Sequence, residues 1–102
     1  MKINVLGAEY TFQVVDEITD DQKLSSGLSD DCSGFCDPFL KMIIVEKQTN
    51  DCETKRIAKH EILHAFFIES GMIKWYDDED LIQWISFQYL KMNKVLKEVD
   101  ML

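Results

Sequence analysis

The helical half of the chain begins at residues 50–71, which read NDCETKRIAKHEILHAFFIESG. Asn50 and Glu53 have the spacing of a capping box, in which each side chain accepts a hydrogen bond from the other residue's backbone N–H. Gly71 is placed to end the helix, because glycine readily adopts the left-handed conformation that follows a last turn. The stretch therefore predicts a helix over residues 51–70.

The apolar patterns of the helical half predict which sides are buried. In the first helix only His64 is polar between residues 62 and 68, so we expect the middle of that helix to be buried on nearly all sides. Residues 77–80 (DDED) supply an N-cap and negative charge for the start of a second helix. Apolar residues of the second helix then recur at intervals of three and four and form one stripe: Ile82, Ile85, Tyr89, Met92, Leu96 and Val99.

The first half of the chain has the period of β-strands. Residues 2–6 and 10–15 alternate partly between apolar and polar side chains around Gly7, which predicts a β-hairpin. Residues 41–45 (KMIIV) predict a buried strand, because β-branched side chains favour strands. We therefore expect an α+β fold in which a small N-terminal antiparallel sheet of three to four strands precedes two main helices. A length of 102 residues leaves room for a single domain, residues 1–102.

Acidic residues outnumber basic ones by 19 to 11 and give a formal net charge of −8. This balance argues against direct binding of nucleic acid or of an anionic membrane, since both require a positive surface. Residues 16–31 carry much of the acidity and predict a long, solvated connection. No apolar run approaches the roughly 18 residues of a membrane span, and residues 1–10 lack the apolar region of a signal peptide. We therefore expect a cytoplasmic location.

The three cysteines, Cys32, Cys36 and Cys52, are an odd number. In a reducing compartment they are expected to be free thiols. Cys32 and Cys36 could bind a metal, but a structural site with four ligands lacks obvious partners near them. Ordinary packing is therefore the expected role of the cysteines.

Both histidines of the chain lie in one pentad, His60-Glu61-Ile62-Leu63-His64. This is the HExxH pattern on a predicted helix. Residues four apart differ by about 40° around a helix, so both imidazoles project from one face and can bind one ion. Glu61 lies beside them, where a carboxylate can accept a proton from a water bound to the metal.

Chance placement of this pattern is improbable, on the order of one in 650 for two histidines and the intervening glutamate in a chain of this length. Two other interpretations stay open. The histidines could simply pack, or lie exposed, on an amphipathic helix. They could also bind a purely structural zinc ion, although a structural site has no evident need for Glu61.

A catalytic zinc ion needs a third protein ligand and one open position. The chain has no third histidine, and its best supply of carboxylates is residues 77–80. Glu79 and Asp78 lie about 60° and about 40° around the helix from Ile82, on the core-facing side. Asp80 lies about 160° away and points outward. Helix geometry therefore leaves Glu79 and Asp78 as alternatives, with a cysteine ligand less favoured.

Residues 59–71 (KHEILHAFFIESG) resemble the small zincin-like metallopeptidase proteins of phages and prophages, which are related in general pattern to the ImmA/IrrE-type metallopeptidases. Residues 3–10 resemble the N-terminal hairpin of these proteins, and residues 34–45 resemble their next strand pair. Residues 79–86 (EDLIQWIS) resemble their second-helix motif, in which an acidic pair precedes an apolar pair, a Trp and a small residue. The likeness covers most of the chain outside residues 16–33.

The resemblance implies a set of functional residues: His60, His64 and Glu79 as zinc ligands, with Glu61 as the general base. It thereby selects Glu79 over Asp78. Asp80 stands where such proteins often have Glu, and Ser86 stands where Ala is usual. Neither departure removes an implied ligand.

The expected activity is that of a zinc-dependent peptidase, which hydrolyses a peptide bond through a metal-bound water with Glu61 as general base. Tyr76 and Tyr89 are candidates to stabilise the oxyanion, and each could instead be a packing aromatic. A peptide could add to a sheet edge, and residues 41–45 are the strand expected to receive it. By family analogy, the substrate is a protein or peptide such as a phage or host regulatory protein.

The alternative function is that of a non-enzymatic binding module. In that case a structural zinc ion would stabilise the fold, and the acidic surface, with residues 16–31, would engage a basic protein partner. Metal removal separates the two functions. Loss of a catalytic ion leaves a folded protein, whereas loss of a structural ion removes much of the stability.

Overall fold

The computed structural model describes residues 1–19, 21–22 and 33–102 of the chain. Its elements in chain order are β1 (Lys2–Val5), β2 (Ala8–Val15), β3 (Gly34–Asp37), β4 (Met42–Glu46), α1 (Asp51–Glu69) and α2 (Glu79–Glu98). The predicted α+β fold is confirmed, with four strands followed by two helices. Most of the predicted polar connection over residues 16–31 lies outside the described residues, as does Cys32.

The predicted hairpin is formed by β1 and β2, which pair antiparallel through a two-residue turn. Leu6 and Gly7 at the turn both have positive φ, of 51° and 94°. This combination is typical of the turn whose twist matches that of paired strands. The Asn4 side chain stabilises the turn by accepting a hydrogen bond of 2.8 Å from the Gly7 backbone N–H.

The four strands form one sheet in the order β1-β2-β4-β3. The sheet is mixed, whereas the sequence predicted an antiparallel sheet, because β2 and β4 run parallel. The chain after β2 is long enough for β3 to form at the position next but one to β2. The antiparallel β3–β4 hairpin then places β4 between β2 and β3. The prediction of residues 41–45 as an edge strand for a peptide is therefore wrong, since β4 is paired on both sides.

Helix α1 covers one face of the sheet. The core between them contains Val5, Tyr10, Ile43, Val45, Ile57 and Ala65. On the opposite face a smaller cluster forms from Ile18, Phe35 and Ile44. The central position of β4 explains why three consecutive residues of this strand, 43–45, are completely buried.

The helices are less buried than the sequence predicted. The buried positions of α1 are Ile57, Glu61, His64 and Ala65, which lie on one face, and Phe66 is 38% exposed. A single sheet covers only one side of a helix, so the expectation of burial on nearly all sides is wrong. The stripe of α2 is buried at Ile82, but its last members are exposed: Met92, Leu96 and Val99. The structure is correspondingly elongated, with extents of 48 × 33 × 26 Å.

Both helices begin with side-chain caps. Asn50 accepts a hydrogen bond of 2.8 Å from the Cys52 backbone N–H at the start of α1. Neither of the two reciprocal bonds of the predicted capping box is formed, because Asn50 accepts from Cys52 rather than Glu53, and Glu53 instead pairs with Arg56. The predicted end of α1 is confirmed to within one residue, and Gly71 follows it with a φ of 83°. Within the described ranges, neither helix has the length and apolar character required to cross a membrane.

Candidate metal centre

The two histidines of the HExxH motif lie one turn apart on α1 and face the same side. Their ring centroids are 4.9 Å apart, and their Nε2 atoms are 3.2 Å apart. Both side chains are mostly shielded, with 15% of His60 and 11% of His64 exposed. The face of α1 that packs against β3 and α2 therefore presents two adjacent imidazole nitrogens.

Glu79 in the first turn of α2 completes a group of three donors. One carboxylate oxygen, Oε2, lies 2.6 Å from His60 Nε2, and the other, Oε1, lies 3.0 Å from His64 Nε2. The structure thus brings together the three residues that the family resemblance implied as ligands, and this group could hold a metal ion.

Asp78, the alternative that helix geometry left open, has a different role. It is the N-cap of α2, and its Oδ1 accepts a hydrogen bond of 3.1 Å from the Leu81 backbone N–H. Asp80 is exposed and does not belong to the donor group. The cap and the donor are therefore adjacent residues with separate functions.

The outer nitrogen of each imidazole faces a hydrogen-bond acceptor. His60 Nδ1 lies 2.9 Å from Gln83 Oε1, and His64 Nδ1 contacts the Tyr76 backbone carbonyl oxygen. A carbonyl oxygen only accepts, so we assign the proton of each neutral ring to Nδ1. The Nε2 lone pairs then point towards each other and towards the Glu79 carboxylate.

This donor set fits a zinc ion. Three electron-rich groups within about 3 Å repel one another unless a cation or a shared proton lies between them. Tetrahedral zinc with bonds of about 2.0–2.1 Å separates its donors by about 3.3 Å, close to the 3.2 Å between the two Nε2 atoms. The Glu79 oxygens lie closer to these nitrogens, at 2.6 and 3.0 Å, and would have to move outward slightly to share an ion with them. Two imidazoles and a carboxylate are also a ligand combination that zinc enzymes use.

Glu61 lies beside the donor group and is 8% exposed. It lines a cavity of about 240 Å³ together with residues of β3 and two of the donors: Gly34, Phe35, Cys36, His64 and Glu79. Burial raises the pKa of the Glu61 carboxyl to about 7, and the Glu79 charge acts in the same direction while His60 opposes it. The motif therefore combines a face that could hold a metal ion with a buried carboxyl at an open cavity.

Gly34 allows β3 to approach α1 closely at this point. A Cβ atom at Gly34 would lie 2.8 Å from Cγ2 of Ile57 and 3.3 Å from Cγ of Glu61. The first distance is shorter than carbon atoms tolerate, so any side chain here would displace the helix or its residues. The absence of a side chain at Gly34 thus helps to set the position of Glu61.

The described cysteines are free thiols outside the donor group. Cys36 lines the cavity, and its burial, reinforced by the charge of Glu61, raises the pKa of its thiol to about 12. It is therefore protonated at neutral pH. Cys52 is exposed at the start of α1.

Sequence reasoning did not single out the residues that support the histidines. Gln83 lies four residues after Glu79, a spacing that places both on one helix face, and this signal was available. Tyr76 acts through its backbone carbonyl, which no side-chain pattern reveals. The Tyr76 and Tyr89 hydroxyls, predicted as oxyanion stabilisers, make no hydrogen bond to the donor group among the described residues. The Tyr89 ring centroid instead lies 5.7 Å from Lys59 Nζ.

Comparisons of the chain with protein-family models, with curated proteins and with solved structures found no match.

Proposed function

We propose that the protein is a zinc-dependent peptidase. The observation that carries this proposal is the convergence of His60, His64 and Glu79 next to the buried Glu61 at an open cavity. The described residues offer three donors, whereas a structural zinc site is normally closed by four. Three donors and an accessible side are the arrangement that hydrolytic chemistry requires.

The proposed roles follow from the chemistry of each group. Zinc would supply Lewis acidity, which polarises a substrate carbonyl and lowers the pKa of a water molecule that it binds. His60, His64 and Glu79 would hold the ion. The Glu61 carboxylate would accept a proton from the attacking water and donate it to the leaving amine. The cavity lining supports this role, since it places Glu61 beside two of the donors.

A peptide substrate would align with β3 rather than with β4. Within the part of the chain that the structure describes, Phe35, Cys36 and Asp37 of β3 pair with β4 only, and Phe35 and Cys36 line the cavity together with Glu61. A strand edge binds an extended peptide through backbone hydrogen bonds. A peptide at this edge would bring its carbonyl groups to the side of the cavity that faces the donors.

The substrate is proposed to be a protein or peptide, such as a phage or host regulatory protein, by analogy with the family that the sequence resembles. The cytoplasm is the proposed compartment, and the free thiols of Cys36 and Cys52 agree with a reducing environment.

The first experiment measures zinc in protein purified without added metal and cleavage of a proteome-derived peptide library by mass spectrometry. We expect one zinc ion per chain and defined cleavage products. Glu61→Gln should keep the zinc and lose at least about 100-fold in cleavage rate, the range of general-base catalysis. Glu98→Gln is the matched control, because Glu98 is exposed at the distant end of α2.

Two results would overturn the peptidase proposal: protein that lacks stoichiometric zinc, or a Glu61→Gln variant that cleaves as fast as the wild type. Zinc that is present but whose removal by a chelator unfolds the chain, without any cleavage activity, would instead support the acidic binding module with a structural zinc ion. The net charge of −8 is the observation that favours this second function.

A further inference from the structure

We propose that Gln83 is a positioning residue for the metal centre, and that Arg56 fixes its orientation. Gln83 would hold the His60 ring so that the proton lies on Nδ1 and the Nε2 lone pair faces the ion. This inference rests on the proposed zinc centre and adds to it a residue outside the HExxH motif. The ligand that it concerns is a divalent transition-metal ion with a preference for imidazole nitrogen.

One oxygen atom connects Gln83 to both partners. Gln83 Oε1 lies 2.9 Å from His60 Nδ1 and 3.3 Å from Arg56 Nη1. A guanidinium group only donates hydrogen bonds, so the amide atom that faces Arg56 has to be the oxygen. The same oxygen can accept from His60 only if Nδ1 carries the ring proton. Arg56 therefore determines the orientation of the Gln83 amide, and this amide determines the tautomer of His60.

Arg56 is itself held in place by Glu53. Its Nε donates to Glu53 Oε1 at 3.0 Å, and its Nη2 donates to Glu53 Oε2 at 3.1 Å. This two-point contact fixes the plane of the guanidinium group, which leaves Nη1 free to donate to Gln83. The pair is partly exposed and adds little to stability. Its main effect is to orient the Arg56 guanidinium group.

The two histidines differ in how they are anchored. His64 Nδ1 contacts the Tyr76 backbone carbonyl, which no substitution removes, whereas His60 depends on a side chain. Gln83 and Glu79 lie one turn apart on α2, so the same helix face supplies both a ligand and the anchor of another ligand. Loss of the Gln83 amide should therefore loosen His60 selectively. Removal of such an outer hydrogen bond typically weakens metal binding by about 10–100-fold.

The test measures zinc affinity by competition with a chromophoric chelator at a fixed neutral pH. Gln83→Leu removes the acceptor at similar volume and is expected to weaken binding by about 10–100-fold. Gln83→Glu keeps an oxygen acceptor and should restore binding to within about threefold of wild type. Arg56→Met should weaken binding by a smaller factor, because the amide is then free to rotate. Gln88→Leu is the matched control on the same helix and should leave the affinity unchanged.

A second measurement reports on the ring itself. Long-range ¹H–¹⁵N NMR of the zinc-loaded protein should show a slowly exchanging Nδ1 proton on His60. Gln83→Leu should lose this signal, while the Nδ1 signal of His64 stays. The metal-free variants should have the same melting temperature as the metal-free wild type. A merely structural role of Gln83 would instead lower the melting temperature of Gln83→Leu.

Several outcomes separate this inference from the proposed function. A Gln83→Leu variant with wild-type zinc affinity, or with an unaltered His60 Nδ1 signal, overturns the positioning role. A wild-type protein that binds no zinc overturns both proposals. A wild-type protein that binds zinc but cleaves no peptide overturns only the proposal of a peptidase. The zinc affinities of the variants then still test the role of Gln83.

Discussion

Three successive acidic residues at the start of α2 have different partners. Asp78 caps the helix through the Leu81 backbone N–H, Glu79 reaches both histidines, and Asp80 is exposed. Helical spacing turns only Asp80 outward, at about 160° from Ile82. Asp78 is occupied by the helix N-terminus, so Glu79 is the acid that faces α1. At the scale of the residue, the direction in which an acidic side chain points therefore determines its partner more than its charge does.

This difference predicts which substitution weakens metal binding. Glu79→Gln should lower the zinc affinity by at least about 100-fold, more than loss of a supporting hydrogen bond, because a charged ligand is removed. Asp78→Asn should leave the affinity nearly unchanged, since asparagine caps a helix as well as aspartate does. Chelator competition on both variants, with Asp80→Asn as a second control, measures the effect. A weakened Asp78→Asn variant and an unaffected Glu79→Gln variant would show that the ligand has been misassigned.

At the scale of the element, the site depends on the contact between β3 and α1. The edge strand and the HExxH helix meet at Gly34, where a Cβ atom would lie 2.8 Å from Ile57 Cγ2. Protein interiors are close-packed, so an added methyl group has to be accommodated by moving a neighbour. Because Glu61 also lies close to this position, a shift here reaches the cavity.

Gly34→Ala is accordingly expected to destabilise the fold by about 1–3 kcal/mol, the usual cost of overpacking. Urea unfolding of the zinc-free protein measures the loss. The same substitution in an Ile57→Ala background should cost less, because the side-chain atom that it meets is gone. Equal costs in both backgrounds would mean that β3 and α1 are not in contact at this point.

At the scale of the whole molecule, Glu69 connects the C-terminal end of α1 to the sheet. Its carboxylate accepts a hydrogen bond of 2.8 Å from the buried Tyr10 hydroxyl of β2 and forms an ion pair with Lys41 of the β3–β4 turn. The hydrogen bond from Lys41, followed by that from Tyr10, lowers the pKa of Glu69 below its usual value of 4.5. These two contacts thus attach the last residue of α1 to the sheet, at the end of the helix opposite to its N-cap.

This attachment makes stability depend on pH in a defined direction. The folded-state pKa of Glu69 lies below the unfolded value, so its contribution is fully present above about pH 4.5 and is lost as the pH falls through the folded-state pKa. Glu69→Gln should therefore be less stable than wild type at neutral pH, and the difference should shrink in acid. Urea unfolding at a series of pH values tests this. A difference that grows on acidification would contradict the assigned role.

The features that followed from sequence are local ones. Helix α1, its Asn50 cap and the turn at Gly7 depend on residues within a few positions of each other, where capping, helical spacing and φ preferences act. The pairing of His60 with His64 on one face likewise follows from helical geometry alone. Such features are encoded in short windows, so a single sequence was sufficient for them.

The remaining features were decided by the tertiary structure. The parallel pairing of β2 with β4 depends on how the chain crosses the sheet, and an apolar run such as residues 43–45 is compatible with several strand orders. Helix geometry left Glu79 and Asp78 as alternatives, and the family resemblance selected Glu79. The packing of α2 against α1 then brings Glu79 to the histidines, while Asp78 caps the helix. The Gln83 and Tyr76 contacts with the histidines likewise join residues 12 or more positions apart. The sequence by itself therefore determined the helix that carries the HExxH motif. Only the fold determined what surrounds this helix, because long-range contacts depend on the packing of whole elements rather than on neighbouring residues.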